Sequence, residues 1–79
     1  MSPFPSEHSC RIAPPSKFQK DSFRRSTLGR GIIAIMARPI GSTKVKIQSL
    51  RYPKSKWSAD EARAHCAKHK GSFEAASEG

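Results

Sequence analysis

The chain is short of acid. Six Asp and Glu face fifteen Lys and Arg in 79 residues, a formal net charge of +9, and the isoelectric point is about 10.3. It also lacks any apolar run near the roughly 18 residues a membrane-crossing helix needs; the most apolar stretch is only Ile32 to Ala37. The first residues, Met1-Ser2-Pro3-Phe4-Pro5-Ser6-Glu7-His8, show no basic start followed by an apolar stretch, so no secretory signal is read there. A protein acting inside a cell is expected, with Cys10 and Cys66 reduced unless they hold metal. No internal repeat is visible. The length is another shortage: a chain of this size hides only about 60% of the surface it exposes when unfolded, which leaves little room for a walled catalytic cleft. A surface that recognises something is the better expectation, and the positive field would attract phosphates, acidic protein faces or anionic lipid.

What is present reads as an α+β domain: a small antiparallel sheet of about three strands packed with one C-terminal helix. Residues 1–22 hold four of the six prolines and read as a Pro/Ser-rich arm with a short extended piece, His8 to Ile12. Residues 23–76 form the domain and 77–79 a tail. Ser22 to Leu28 suggests a strand, and Gly29-Arg30-Gly31 a turn. Gly31 to Arg38 is short and rich in β-branched residues, which favours a buried strand over a helix. After a turn at Pro39-Ile40-Gly41-Ser42, Lys44-Val45-Lys46-Ile47 alternates strictly. Leu50 and Tyr52 fall on the opposite parity, and a bulge near Gln48-Ser49 would put both halves on one face. Ser58-Ala59-Asp60-Glu61 matches a capping box, with Asp60 and Glu61 at the positive end of the helix dipole. Lys68, His69 and Lys70 crowd the negative end, and Gly71 offers a left-handed stop. Ser72 to Ala75 is a short final strand or a tail.

The segment IQSLRYPKSKWSADEARAHCAKHKGSFEAA, Ile47 to Ala76, resembles a short module of tailed-phage and prophage proteins, seen near head-maturation protease and head-morphogenesis genes. Gln48, Arg51, Tyr52, Pro53, Lys54, Trp57, Glu61, Ala62, Arg63, His65, Cys66, His69, Gly71, Phe73 and Glu74 carry the likeness. EHSCRIAPPSKFQKDSFRR (Glu7 to Arg25) and IIAIMARPIGST (Ile32 to Thr43) resemble the module's first half, so the likeness covers residues 7–76; Ala37 and Pro39 depart from its I-M-G-R/K-L-K-G middle. The resemblance implies a phage-derived interaction unit in the host-cell cytoplasm. It implies no protease, because no catalytic serine–histidine arrangement accompanies it.

Two constellations invite chemistry. His8, Cys10, Cys66 and His69 would make a tetrahedral Cys2His2 zinc site, although the usual C-x-x-C knuckle is missing and H-x-C on a strand spaces its ligands awkwardly. Against it stands a packing role: Cys66 on the Ala59-Ala62-Cys66 stripe as a small buried hydrophobe, with Cys10 beside it. The expectation is no cofactor. A cysteine nucleophile with a histidine base lacks a third orienting group, and Ser42-Thr43-Lys44 lacks the upstream glycine of a phosphate loop, position 36 being Met36. The second constellation is basic. Lys44, Lys46, Arg51, Lys54 and Lys56 form a row, and Arg24, Arg25 and Arg30 precede the neighbouring strand. Tyr52 and Trp57 are interleaved with them, either as stacking rings or as core beneath a solvated rim.

Three functions follow as expectations for a non-enzymatic protein. The first is an inhibitor of the anti-CRISPR type that docks on a host nucleic-acid-handling complex or its bound nucleic acid. The others are direct, non-specific DNA or RNA binding and service as a virion or assembly accessory.

Overall fold

The order of strands in space departs sharply from their order in sequence. A computed structural model of the chain describes residues 6–76. The elements are β1 (Glu7–Arg11), β2 (Arg24–Thr27), β3 (Ile33–Ala37), β4 (Lys46–Pro53), α1 (Ala59–Lys68) and β5 (Ser72–Glu74). They build one five-stranded sheet in the order β2-β3-β4-β1-β5, with every neighbouring pair antiparallel. The α+β class holds, and the expected strand count of about three becomes five. The reason lies at the chain ends: the extended piece near His8 and the segment after Gly71 pair with each other, Cys10 opposite Phe73, while β1 also pairs along β4. The segment that its prolines placed on an arm therefore supplies an inner strand. Residues 1–5 of that arm and the tail 77–79 lie outside the described residues.

The bulge expected near Gln48 is present. Ile35 pairs with Ser49 but Met36 pairs with Ile47, so Gln48 is the extra residue on β4. It is held there: its carbonyl accepts from the Ile12 and Ala13 amides, and its Nε2 donates to the Ala13 carbonyl at 2.8 Å. The extra residue resets the parity. Ile47, Leu50 and Tyr52 then share the helix-side face with Ala34, Met36 and Cys10, and the core gathers there around Ile32, Trp57, Ala62 and Cys66. Val45, expected beside Ile47, precedes the strand and is exposed.

Helix α1 starts as its capping box predicts: the Ser58 side chain accepts from the Glu61 amide, and Glu61 Oε1 accepts from the Ser58 amide, both at 3.1 Å. Arg30 on one side and Ser58 on the other hold the Glu61 carboxyl down at about 2. Its end differs from expectation. The Gly71 amide bonds the Cys66 carbonyl and the Lys70 amide bonds that of Ala67, a Schellman pattern whose left-handed residue is Lys70, with φ 58°. Gly71 serves space instead: a Cβ there would collide with Cys10 Sγ and lie 3.0 Å from Cys66 Sγ and from Ile12 Cδ1. Those sulfurs are joined as a disulfide and cannot swing away. Gly71→Ala should therefore cost about 1–3 kcal/mol by overpacking, read as a lower urea midpoint; a wild-type midpoint would show that the sulfur pair yields.

Tyr52 is fully buried, and burial pushes its phenol up to about 12, so the hydroxyl remains a donor. It lies 2.8 Å from His65 Nδ1. Burial first, then the His69 and Lys68 charges, holds His65 below the usual imidazole range, so the neutral ring accepts the bond. The unfolded chain takes this proton more readily than the folded one. The contribution is thus fully present above about pH 6.5 and fades as pH falls below it. The urea midpoint should fall between about pH 7 and pH 5.5, and fall less in His65→Gln, with Trp57 fluorescence as the probe. Equal slopes in the two proteins would exclude His65 as the cause. Among the described residues, no helix is long and apolar enough to cross a membrane.

Candidate binding surface at the hairpin end

The turn from β3 to β4 is built by Pro39 to Ser42, with the Ser42 amide bonded to the Pro39 carbonyl at 3.0 Å and Gly41 in the left-handed region at φ 83°. The segment between β1 and β2 comes back to this turn. The Gln19 amide donates to Arg38 O at 2.8 Å, the Ile40 amide donates to Lys17 O at 2.9 Å, and Phe18 pairs with Pro39 in an isolated bridge. Ser22 Oγ accepts from the Arg38 amide at 2.9 Å. Gln19 Nε2 ties the turn together, donating to Pro39 O at 3.1 Å and Ser42 O at 2.9 Å.

This folding-back concentrates charge. Lys17, Lys20, Arg24, Arg25, Arg38, Lys44 and Lys46 all belong to this end of the sheet and all are exposed. Among the described residues, Asp21 is the acid that shares this end with them. The opposite end holds Glu7, Asp60 and Glu61, each engaged by arginine: Arg51 at 3.6 Å, Arg63 at 2.9 Å and Arg30 at 2.8 Å. Seven of the fifteen Lys and Arg thus share one end with one described acid, and an uncompensated cluster is what sets the field outside a protein.

The eight basic residues singled out in the sequence do not form one row. Arg24, Arg25, Lys44 and Lys46 meet at the hairpin end. Arg24 is fixed there, its Nη1 donating to the Phe23 carbonyl at 2.8 Å. Arg51 lies mid-sheet on the face away from the helix, half-buried beside Glu7. Arg30, Lys54 and Lys56 cluster at the far end, where Arg30 Nη2 donates to the Lys56 carbonyl at 3.1 Å and to Glu61. The Arg30 guanidinium lies 4.1 Å from the Trp57 ring centroid, and Trp57 Nε1 donates back to the Arg30 carbonyl. Arg30 is thereby a lid on the core. Trp57 is buried and Tyr52 meets it edge-on at 5.2 Å; both rings are core, not stacking platforms. Lys17, Lys20 and Arg38 were missed in the sequence, because only the pairing of Gln19 with Arg38 brings them to the turn.

The proposed zinc ligands are not brought together. Cys10 and Cys66 are bonded to each other with Cα atoms 5.6 Å apart, which also overturns the expectation that they stay reduced. The geometry follows from the neighbouring-hydrophobe reading: both lie fully buried where α1 covers β1. His8 is buried as a strut, Nε2 at 3.1 Å from the Trp57 carbonyl and Nδ1 accepting from the Ala76 amide at 2.9 Å. His69 is exposed at the end of α1, its ring 4.8 Å from that of His65. Among the described residues, no three His, Cys, Asp or Glu side chains are grouped as a metal site would require.

A concavity of about 600 Å³ opens on the sheet face away from the helix, with Ser9, Arg11, Ser49, Arg51, Ser72 and Glu74 among its walls. It mixes both signs of charge. No family model matches the chain, and comparison with curated proteins and with solved structures finds no match.

Proposed function

We propose that the chain is a non-enzymatic binding protein that docks a negatively charged partner on the hairpin end of its sheet. One observation carries this reading: among the described residues, seven exposed cations share that end of the sheet with one acid, Asp21, while Glu7, Asp60 and Glu61 are engaged by arginines elsewhere. Both sulfurs being consumed in a cross-link supports docking over catalysis. The phage-module likeness supports placing the protein among phage-encoded docking units. An inhibitor of a host nucleic-acid-handling defence complex, of the anti-CRISPR type, is the instance we favour. Burial of Trp57 and Tyr52 weighs against the alternative of direct nucleic-acid binding, since neither of these rings is free to stack on a base.

Capture from nuclease-treated host lysate at moderate salt, followed by mass spectrometry, tests this. The expected result is a protein complex retained without nucleic acid. Retention that vanishes with nuclease, together with affinity for free DNA that drops steeply with salt, would replace it with the nucleic-acid reading.

A further inference from the structure

Within the cation-dense end lies a groove of about 480 Å³, walled by Pro15, Phe18, Phe23 and Ile40 with Lys20 at its side. The Phe18 and Phe23 rings stand 6.0 Å apart. Ile40 presents 68% of its surface to solvent, and Val45, on the same hairpin, 55%. The groove is held in shape before any partner arrives, because Gln19 pins Pro39 and Ser42, and Lys17 pins Ile40. Apolar walls with Lys20 at the side, at an end of the sheet rich in cations, suit a ligand carrying both characters.

We propose that this groove seats an aliphatic or aromatic side chain from an acidic polypeptide segment, whose flanking carboxylates meet Lys17, Lys20, Arg24, Lys44 and Lys46. The proposal rests on the reading of this end as the docking surface and adds the chemical class of the partner. Charge complementarity selects the occupant: the groove opens among these cations, with Asp21 the acid beside them. The concavity between Phe18, Phe23 and Ile40 receives a single side chain, whereas a bilayer would engage the protruding Ile40 and Val45 and leave the concavity unfilled. Phe18 is buried and forms the floor side of the pair, with Phe23 partly exposed beside it.

Fluorescence anisotropy at low salt tests it with four probes: a labelled octapeptide of glutamates with one central leucine, the same peptide with serine at that place, octaglutamate, and a single-stranded oligodeoxynucleotide. Vesicles of phosphatidylserine and phosphatidylcholine are tested by co-sedimentation. The leucine peptide should bind about tenfold more tightly than the serine peptide. Ile40→Ser should erase that difference, with an unchanged thermal midpoint and unchanged octaglutamate binding. Equal binding of the two peptides by the wild-type protein would overturn the groove assignment, as would a preference for vesicles or the oligonucleotide. If octaglutamate binds and leucine confers nothing, the inference alone fails. If no polyanion binds at all, the docking surface fails with it.

Discussion

Reduction of the Cys10–Cys66 bond should lower the midpoint of thermal unfolding by on the order of 20 °C. The bond spans 56 residues of sequence, and closing a loop of that length removes about 4 kcal/mol of conformational freedom from the unfolded chain. Nothing compensates in the folded state, since the two thiols would remain where the sulfurs now lie, fully buried between β1 and α1. A domain this small has little reserve. Thermal melts followed by circular dichroism with and without reductant would show the shift, and Cys10→Ala with Cys66→Ala should reproduce it. Midpoints within a few degrees of each other would mean that the core alone carries the fold. In a reducing compartment the protein would depend on that core entirely.

The second large effect concerns where charge sits, not how much there is. Lys20→Glu, Lys44→Glu and Lys46→Glu together should weaken octaglutamate binding on the order of 100-fold at about 0.1 M salt. At the same salt, where the screening length is about 10 Å, the same net change made at Lys54, Lys56 and Arg63, away from the hairpin turn, should cost no more than about threefold. All six side chains are exposed, so neither variant should disturb the core. Equal losses from the two triples would reduce the protein to a diffuse polycation and remove the case for a defined docking end.

What the sequence makes legible divides by how local its cause is. The capping box at Ser58, the turn at Pro39 to Ser42 and the bulge at Gln48 each follow from a handful of adjacent residues, and each is found where those residues place it. The position of β1 is different. Its proline-rich surroundings suggest an arm, and only pairing with Arg51 and Glu74, far along the chain, makes Ser9 part of an inner strand. The same holds for the basic end. Arg24, Arg25, Lys44 and Lys46 are readable from strand periodicity, whereas Lys17, Lys20 and Arg38 join them through backbone bonds that no periodicity announces. The cysteines show a third kind of shortfall. Their adjacency is readable from the buried stripe of α1, but an argument from cellular compartment hid the bond. Gly71 is similar: a glycine after a helix suggests a left-handed cap, and its use here is to clear space for two sulfurs.

The placement of β1 carries a consequence for synthesis. During synthesis β1 has neither of its sheet partners until the stretch ending at Pro53 has followed it, and its second flank stays open until Glu74 has been made. The hairpin of β3 and β4 can close early, because its strands are consecutive and joined by a short turn. The N-terminal strand must then be inserted against an edge already formed, with a long stretch of chain to organise before the reward arrives. The sheet is therefore complete only when β1 has been enclosed by two strands that follow it far along the chain.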